Sequence, residues 1–169
     1  MPNTGMLTTV ILTHNESLHI RRVIASAVQV SDQILIVDSF STDDTVEIAQ
    51  ALGARVVQHE FVNQAQQMQW AMDQDFIQTP WVMRMDADEY LTETLAQEIK
   101  SKLPTLPNEV SGVVLKRQVH FMGRWIKHGG YYPTSLLRIW RTGHAVIEQR
   151  WMDEHTILTQ GTSIHFKHD

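Results

Sequence analysis

The chain has 169 residues and a formal net charge of −5, with 43% hydrophobic residues, 20% charged residues and no cysteine. This size and composition are typical of one globular domain, and the negative charge argues against a nucleic-acid partner, which needs a basic face. The lack of cysteine excludes disulfides and thiolate metal sites. Because no apolar run approaches ~18 residues and the N-terminus does not resemble a secretory leader, we expect a cytoplasmic protein.

The first two-thirds of the chain alternate between strand-like and helix-like patterns. Apolar and β-branched runs predict strands at residues 8–13, 34–37, 54–57 and 81–85. Ser41–Asp44 resembles a capping box at the start of the second helix. The predicted inner faces of the helices are Leu18, Val23, Ile24, Ala27 and Val28; Val46, Ile48, Ala49 and Leu52; Ala65, Met68 and Met72; and Leu95 and Ile99. This alternation predicts an α/β fold, with a mostly parallel sheet flanked by helices.

The pattern changes after Pro107. Strands are predicted at residues 113–119 and 136–140, separated by a segment, 124–133, that is rich in aromatic residues, glycine and cations. With no repeat, linker or low-complexity tract, residues 1–169 are interpreted as a single domain. The sequence stops without a closing helix, which raises the expectation of a C-terminally truncated chain.

Polar residues follow three of the predicted strands at their carboxyl ends. They are Thr13 with Asn15 and Glu16, then Asp38, then Asp86 and Asp88. Extended backbone would direct Asp86 and Asp88 the same way, and paired carboxylates suit Mg²⁺ or Mn²⁺ with a phosphate-bearing substrate. Taken singly, these residues are equally explained by turns, helix caps or an acidic loop. Their convergence at one sheet edge favours a ligand site, and the absence of a glycine-rich loop after the first strand argues against dinucleotide or P-loop binding.

Three of these segments resemble motifs of the family 2 glycosyltransferases, which have a GT-A fold. The segments are 10–16 (VILTHNE), 36–45 (IVDSFSTDDT) and 85–89 (MDADE). Residues 125–133 and 150–155 extend the resemblance to the bacterial subgroup associated with lipopolysaccharide-core and other cell-surface sugars. The resemblance implies a nucleotide-sugar-binding part at about 7–103 and an acceptor-side part at about 108–169. It also implies inverting transfer of a sugar from a nucleotide-diphosphate donor to a glycan or lipid-linked acceptor.

The resemblance assigns roles around the donor. It implies that Asp88 binds a divalent cation, Mg²⁺ or Mn²⁺, and that Asp86 contacts the ribose or the metal. Residues matching nucleotide- or donor-contacting positions are Thr13, Asn15, Glu16, Asp38 and Asn63. The family often has a second aspartate after Asp38, where this chain has Ser39.

The resemblance also implies a general base, which an inverting displacement needs. The matching acidic pair is Asp153-Glu154, with Glu154 at the base position and Asp153 as the alternative. A late histidine, His165 or His168, could add a metal ligand. The candidate acceptor-binding residues are Trp125, His128, Tyr131, Tyr132 and Arg138. Trp140 and Trp151 are assigned to the core.

Two other functions remain open at this stage. One is a catalytically silent module that binds nucleotide sugars or glycans, and the other is a sugar-1-phosphate nucleotidyltransferase. The latter would need a glycine-rich basic loop after the first strand, where this chain has His14-Asn15-Glu16-Ser17. A lipid-linked acceptor would add peripheral contact with the inner face of the cytoplasmic membrane, although no basic amphipathic helix is apparent.

Overall fold

A computed structural model describes residues 5–130 and 132–169 of the chain. Four helices lie in the first part: α1 (Ile20–Ala27), α2 (Thr45–Ala51), α3 (Gln64–Asp73) and α4 (Glu93–Lys102), which continues into a short 3₁₀ turn at Leu103–Thr105. The strands are β1 (Leu7–Thr13), β2 (Gln33–Asp38), β3 (Arg55–Gln58), β4 (Trp81–Asp86), β5 (Val110–Arg117), β6 (His120–Phe121), β7 (Arg124–Trp125), β8 (Thr134–Arg141), β9 (Ala145–Ile147), β10 (Thr156–Leu158) and β11 (Thr162–His165).

Seven strands form one central sheet in the order β11-β5-β8-β4-β1-β2-β3. Strand β8 runs antiparallel to both of its neighbours, β4 and β5, whereas the other pairings in this sheet are parallel. Helical crossovers connect the parallel strands β1 to β4, as parallel pairing requires. The predicted mostly parallel α/β sheet is confirmed, and it places the carboxyl ends of β1, β2 and β4 along one edge.

The sheet is covered by apolar side chains on both faces. One cluster contains Ile11, Ile36 and Met83 together with the buried faces of α1 and α4. The other contains Val10, Val82 and Trp140 together with α3 and β9. Because β1, β2 and β4 are buried on both faces, their sequences are continuous apolar runs rather than alternating ones.

Side-chain caps set the starts of two helices. Asn63 accepts a hydrogen bond from the Gln66 backbone N–H at the start of α3, and Thr92 accepts one from the Leu95 N–H at the start of α4. The predicted capping box at Ser41–Asp44 is wrong, because the Ser41 hydroxyl donates to Asp38 and Asp44 caps α2 without a side-chain hydrogen bond. The segment before α2 is held instead by hydrogen bonds from the Ser41 backbone N–H and hydroxyl to Asp38.

Most of the predicted inner-face residues are buried, three (Val46, Ile48 and Met72) are half-buried, and three are exposed. Leu18 is 90% exposed, and Val28 and Leu52 are also exposed. The reason is helix length: α1 begins at Ile20 and ends at Ala27, and α2 ends at Ala51, so these residues flank the helices. No helix in the described parts of the chain is long and apolar enough to cross a membrane.

Candidate active site

The end of β2 is built around a fully buried carboxylate, that of Asp38. Its Oδ1 accepts hydrogen bonds from the hydroxyls of Thr13 (2.8 Å) and Ser41 (2.5 Å). Its Oδ2 accepts from the Ser41 backbone N–H (2.8 Å) and the Gln58 amide (3.3 Å). All four donors are neutral, and together they hold the Asp38 carboxyl group in a fixed position beside the end of β1.

The loop after β1 is tied to the loop after β2. Asn15 adopts a left-handed backbone conformation (φ 53°), and its Oδ1 accepts from the Thr42 N–H at 2.8 Å. The backbone N–H of Glu16 donates to the Thr45 hydroxyl, while the Glu16 carboxylate pairs with His19. The structure therefore brings Thr13, Asn15 and Asp38 together, and Glu16 borders the same pair of loops.

The end of β4 is built from charges instead. The strand stops at Asp86, and a turn closed by a Glu89 N–H to Asp86 carbonyl bond (3.0 Å) follows. Asp86 and Asp88 therefore do not share an extended backbone, contrary to the prediction. Asp88 is exposed, and no hydrogen bond or ion pair involves its carboxylate within residues 5–130 and 132–169. Its backbone carbonyl accepts from the Arg22 guanidinium at 2.9 Å.

Asp86 and Glu89 share the guanidinium of Arg138, which projects from β8. The Arg138 Nη2 lies 3.4 Å from Asp86 Oδ2 and 2.8 Å from Glu89 Oε1. Burial alone would raise the pKa of Asp86, but the charges of Arg138 and Arg84 lower it overall. Burial raises the pKa of Glu89, and the Asp86 charge adds to that effect against the pull of Arg138. Arg138, predicted to contact the acceptor, thus contacts the carboxylates after β4.

Arg84 joins the end of β4 to the predicted base, a contact that the sequence analysis missed. Its Nη2 donates to Glu154 Oε1 at 2.6 Å and to Gln64 Oε1 at 2.9 Å, and its Nε lies 3.6 Å from Asp86 Oδ1. The Arg84 and Glu154 side chains are only 10% and 8% exposed. A charged residue inside an otherwise apolar strand was the available signal, since buried arginine is almost always paired.

A cavity of about 310 Å³ opens beside this ion pair. Its lining includes three predicted site residues, Asn63, Asp153 and Glu154. Trp151 also lines it and is 76% exposed, so the assignment of Trp151 to the core is wrong, whereas Trp140 is fully buried as expected. Asn63 lies there through its role as the cap of α3.

Among the described residues, no hydrogen bond or ion pair joins the remaining predicted site residues to Asp86 or Glu154. Trp125 and Tyr132 stack edge to face with ring centroids 4.9 Å apart, and the Tyr132 hydroxyl donates to Asp169 Oδ2 at 2.5 Å. His165 is exposed at the end of β11, and the backbone N–H of His168 donates to Glu98. His128 is exposed, and Tyr131 lies outside the described residues.

The carboxylates after β4 suit a cation that is shared with a substrate. Within residues 5–130 and 132–169, no group of three or more His, Asp or Glu side chains is placed to hold a metal ion. Mg²⁺ and similar ions, however, are often held by one or two carboxylates, with water and substrate phosphates completing the shell. Asp88 offers a free carboxylate for this, and Asp86 lies two residues before it, so the residues fit such an ion.

Comparisons with known proteins identify the family of this chain. The model of glycosyl transferase family 2 matches residues 8–167. The chain belongs to glycosyltransferase family 2. An uncharacterized glycosyltransferase of Rickettsia prowazekii is 39% identical over 94 residues, which are 56% of this chain and 32% of that protein. One from Rickettsia conorii is 39% identical over 97 residues, or 57% and 34%. The matched region is thus about a third of the length of these curated relatives.

Solved structures show the same fold at low sequence identity. S. aureus TarS 1-349 aligns with a TM-score of 0.61 and 17% identity, over 82% of this chain and 47% of that chain. Glucosyl-3-phosphoglycerate synthase from Mycobacterium tuberculosis, in complex with Mn²⁺, UDP and glucosyl-3-phosphoglycerate, aligns with a TM-score of 0.51 and 21% identity, over 67% and 44%. This family 2 chain therefore has the GT-A-type α/β fold.

Proposed function

We propose that this chain carries the reaction centre of a metal-assisted, inverting glycosyltransferase that uses a nucleotide-diphosphate sugar. The observation that carries the proposal is a shared contact: the Asp86 carboxylate at the end of β4 and the Glu154 carboxylate both lie against one buried guanidinium, that of Arg84. A leaving-group site and a base on opposite sides of one small volume are what an inverting displacement requires.

Asp88 and Asp86 are the residues that would hold the cation on the donor side. A divalent cation bound there supplies compensation for the negative charge that develops on the departing diphosphate. Asp88 is free to bind it directly, while Asp86 is held by Arg138 at 3.4 Å and is placed to contact the ribose or the cation.

Glu154 is proposed to accept the proton of the acceptor hydroxyl. The acceptor oxygen bonds to the anomeric carbon as the bond from that carbon to the phosphate oxygen breaks, and the nucleoside diphosphate leaves. Glu154 Oε1 is fixed by Arg84 at 2.6 Å, whereas Oε2 has no hydrogen-bond partner within residues 5–130 and 132–169. The free oxygen is the proton acceptor in this mechanism, and Asp153 on the same cavity is the alternative base.

The nucleotide is proposed to lie along the ends of β1 and β2. Thr13, Asn15, Glu16 and Asp38 form the two joined loops there, and Asn63 lies at the neighbouring cavity. Support at the level of the fold comes from S. aureus TarS, which has been solved in complex with UDP-GlcNAc, and from the M. tuberculosis enzyme solved with Mn²⁺ and UDP.

On the acceptor side, we propose a saccharide or lipid-linked substrate of cell-envelope biosynthesis, in the manner of the lipopolysaccharide-core subgroup. Residues 108–169 contribute Arg138 and Glu154 to the site, which supports a division into donor-side and acceptor-side parts of one domain. Trp125, His128, Tyr131 and Tyr132 remain candidate acceptor residues, and His165 or His168 a candidate further ligand.

The test is nucleotide release from a panel of UDP-, GDP- and ADP-sugars, with and without Mn²⁺. We expect metal-dependent release that Asp88→Asn and Glu154→Gln each lower by about 100-fold or more. Asp75→Asn removes a similarly exposed carboxylate away from the site and should leave the rate unchanged.

Three results would contradict the proposal. Tight donor binding without turnover, also in a chain extended beyond Asp169, would indicate a silent binding module. Release of pyrophosphate from a nucleoside triphosphate and a sugar 1-phosphate would indicate a nucleotidyltransferase. Equal rates for Asp88→Asn and the wild type would remove the carboxylates after β4 from the mechanism.

A further inference from the structure

The β6–β7 hairpin projects large apolar side chains into solvent. Phe121 is 66% exposed and Met122 is 87% exposed, and they are consecutive at the tip. In register, His120 pairs with Trp125 and Phe121 pairs with Arg124, so Met122 and Gly123 form a two-residue turn. Trp125 is a candidate acceptor residue, whereas Phe121, Met122 and Arg124 have no role in the proposed transfer reaction.

Met122 occupies a turn position that disfavours it. Both turn residues have positive φ, 49° at Met122 and 76° at Gly123, which is the pattern of a type I′ hairpin turn. Asn, Asp or Gly is usual at the first of these positions, because other side chains are strained in left-handed backbone. A methionine there costs stability and buries nothing in return within the described structure. Its presence is explained if its side chain is used in contact with something else.

Two exposed cations flank the tip, in a segment without acidic residues. The segment 110–147 contains no Asp or Glu, although the whole chain has a net charge of −5, and its Lys and Arg residues are Lys116, Arg117, Arg124, Lys127, Arg138 and Arg141. Of these, Arg117 and Arg138 face Glu89. Arg124 and Lys127, which flank the tip, are exposed and have no carboxylate within 4 Å among residues 5–130 and 132–169.

Aromatic rings form the base of the same hairpin. Lys127 Nζ lies 4.3 Å from the centroid of the Trp125 ring, and Trp125 contacts the Tyr132 ring, whose hydroxyl is tied to Asp169. These three features match the layers of a bilayer surface. The apolar tip suits the acyl boundary, the cations suit the anionic phosphates, and the Trp and Tyr rings suit the interfacial zone.

We propose that this hairpin docks the protein on the surface of an anionic phospholipid bilayer. Phe121 and Met122 enter the headgroup and acyl boundary, while Arg124 and Lys127 contact lipid phosphates. Either contribution alone gives marginal binding, and their combination is what stable peripheral attachment requires. The proposal does not depend on the transferase activity, since it uses none of the proposed catalytic residues.

The test is co-sedimentation with vesicles of phosphatidylcholine alone and of phosphatidylcholine mixed with phosphatidylglycerol. We expect binding to the anionic vesicles at least about tenfold tighter than to the neutral ones, weakened as salt shortens the Debye length from about 10 Å to about 3 Å. Phe121→Ser combined with Met122→Asn should lower binding by about tenfold or more, as should Arg124→Gln combined with Lys127→Gln.

The variants are chosen so that misfolding cannot explain a loss. Asparagine suits the left-handed turn position, so the substitution at Met122 should leave the melting temperature unchanged or raise it. Leu18→Ser is the apolar control, because Leu18 is 90% exposed on another loop, and Arg21→Gln with Lys100→Gln is the charge control. Both controls should bind as the wild type does.

Several outcomes overturn the proposal. The wild type could fail to bind anionic vesicles, or it could bind both vesicle types equally. Alternatively, the Leu18→Ser control could lose as much vesicle binding as the hairpin variants do. Sedimentation without vesicles provides a further check. Self-association that disappears in the Phe121 and Met122 variant would assign the tip to a second copy of the chain instead.

Discussion

The carboxylates that follow β2 and β4 lie at the same edge of the sheet but are held in different ways. Asp38 is surrounded by hydroxyl, amide and backbone donors, all of them neutral. Asp86 and Glu89 are held by arginines, and Glu154 is joined to them through Arg84. Neutral donors fix a negative charge in one geometry, whereas guanidinium groups compensate it and can exchange partners when a charged ligand arrives. In the proposed reaction, this difference gives the end of β2 the role of rigid recognition and the end of β4 that of chemistry.

The largest effect on stability is expected from breaking the ion pair at the end of β4. Arg84→Met leaves Glu154 buried without its cation and should lower the free energy of unfolding by about 3–5 kcal/mol. Chemical denaturation of this variant, of Glu154→Met and of the double variant forms a double-mutant cycle. We expect the double variant to recover much of the loss, and strict additivity of the two single effects would contradict the pairing. Arg21→Met, at an exposed position, is the control.

A smaller loss is expected at the end of β2. Asp38→Ala removes the acceptor of four hydrogen bonds and leaves buried donors unpaired, which should cost about 3 kcal/mol in denaturant unfolding. Asp38→Asn should cost less because one oxygen remains to accept from Thr13 and Ser41. If the two variants were equally stable, the neutral hydrogen bonds would not be what holds this strand end.

The smallest effect on stability is expected at Glu98, which lies on α4 away from the candidate site. Its carboxylate accepts hydrogen bonds from both neutral and charged donors. Burial raises the pKa of Glu98, but Lys102 and the backbone N–H groups of Lys167 and His168 lower it, to about 2. Because the folded pKa lies below the ordinary value of 4.5, the stabilisation is complete above that pH and is lost as the pH falls toward 2.

The measurement is thermal unfolding of the wild type and Glu98→Gln between pH 7 and pH 2. The variant should be less stable by about 2 kcal/mol at pH 7, and the difference should shrink on acidification. Glu93→Gln, on the same helix but exposed, should follow the wild type. A difference that stayed constant with pH would assign the effect to packing rather than to charge.

The parallel part of the fold could be predicted because its strands are buried on both faces. A short, continuous apolar run such as residues 34–37 is typical of a buried parallel strand. Because parallel strands end at the same edge of the sheet, residues at their carboxyl ends, such as Asp38, must lie along that edge. Helix ends were harder to predict, because the apolar periodicity includes Leu18 and Val28 although the helical backbone of α1 covers only Ile20–Ala27.

The site residues remain a prediction, and the contacts among them could not be predicted from the sequence. Asp86 and Glu154 were identified, but their connection depends on Arg84 and on the return of residues 150–155 to the sheet, which no local pattern encodes. Glu89 had no predicted role and proves to pair with Arg138. The interpretation of Trp151 as core failed because hydrophobicity does not reveal whether a loop residue has a neighbour to cover it.

The antiparallel strand β8 has a consequence for how the molecule assembles. Strands β1, β2 and β4 can pair as each crossover helix forms, but one edge of β4 stays open until residues 134–141 insert beside it. Arg138 lies on that same strand, so its contacts with Asp86 and Glu89 form only when the sheet closes. Pairing of β8 with β4 and the contact of Arg138 with the carboxylates are therefore one structural requirement. A chain without β8 in place would present both an unpaired strand edge and an acidic cluster that lacks Arg138.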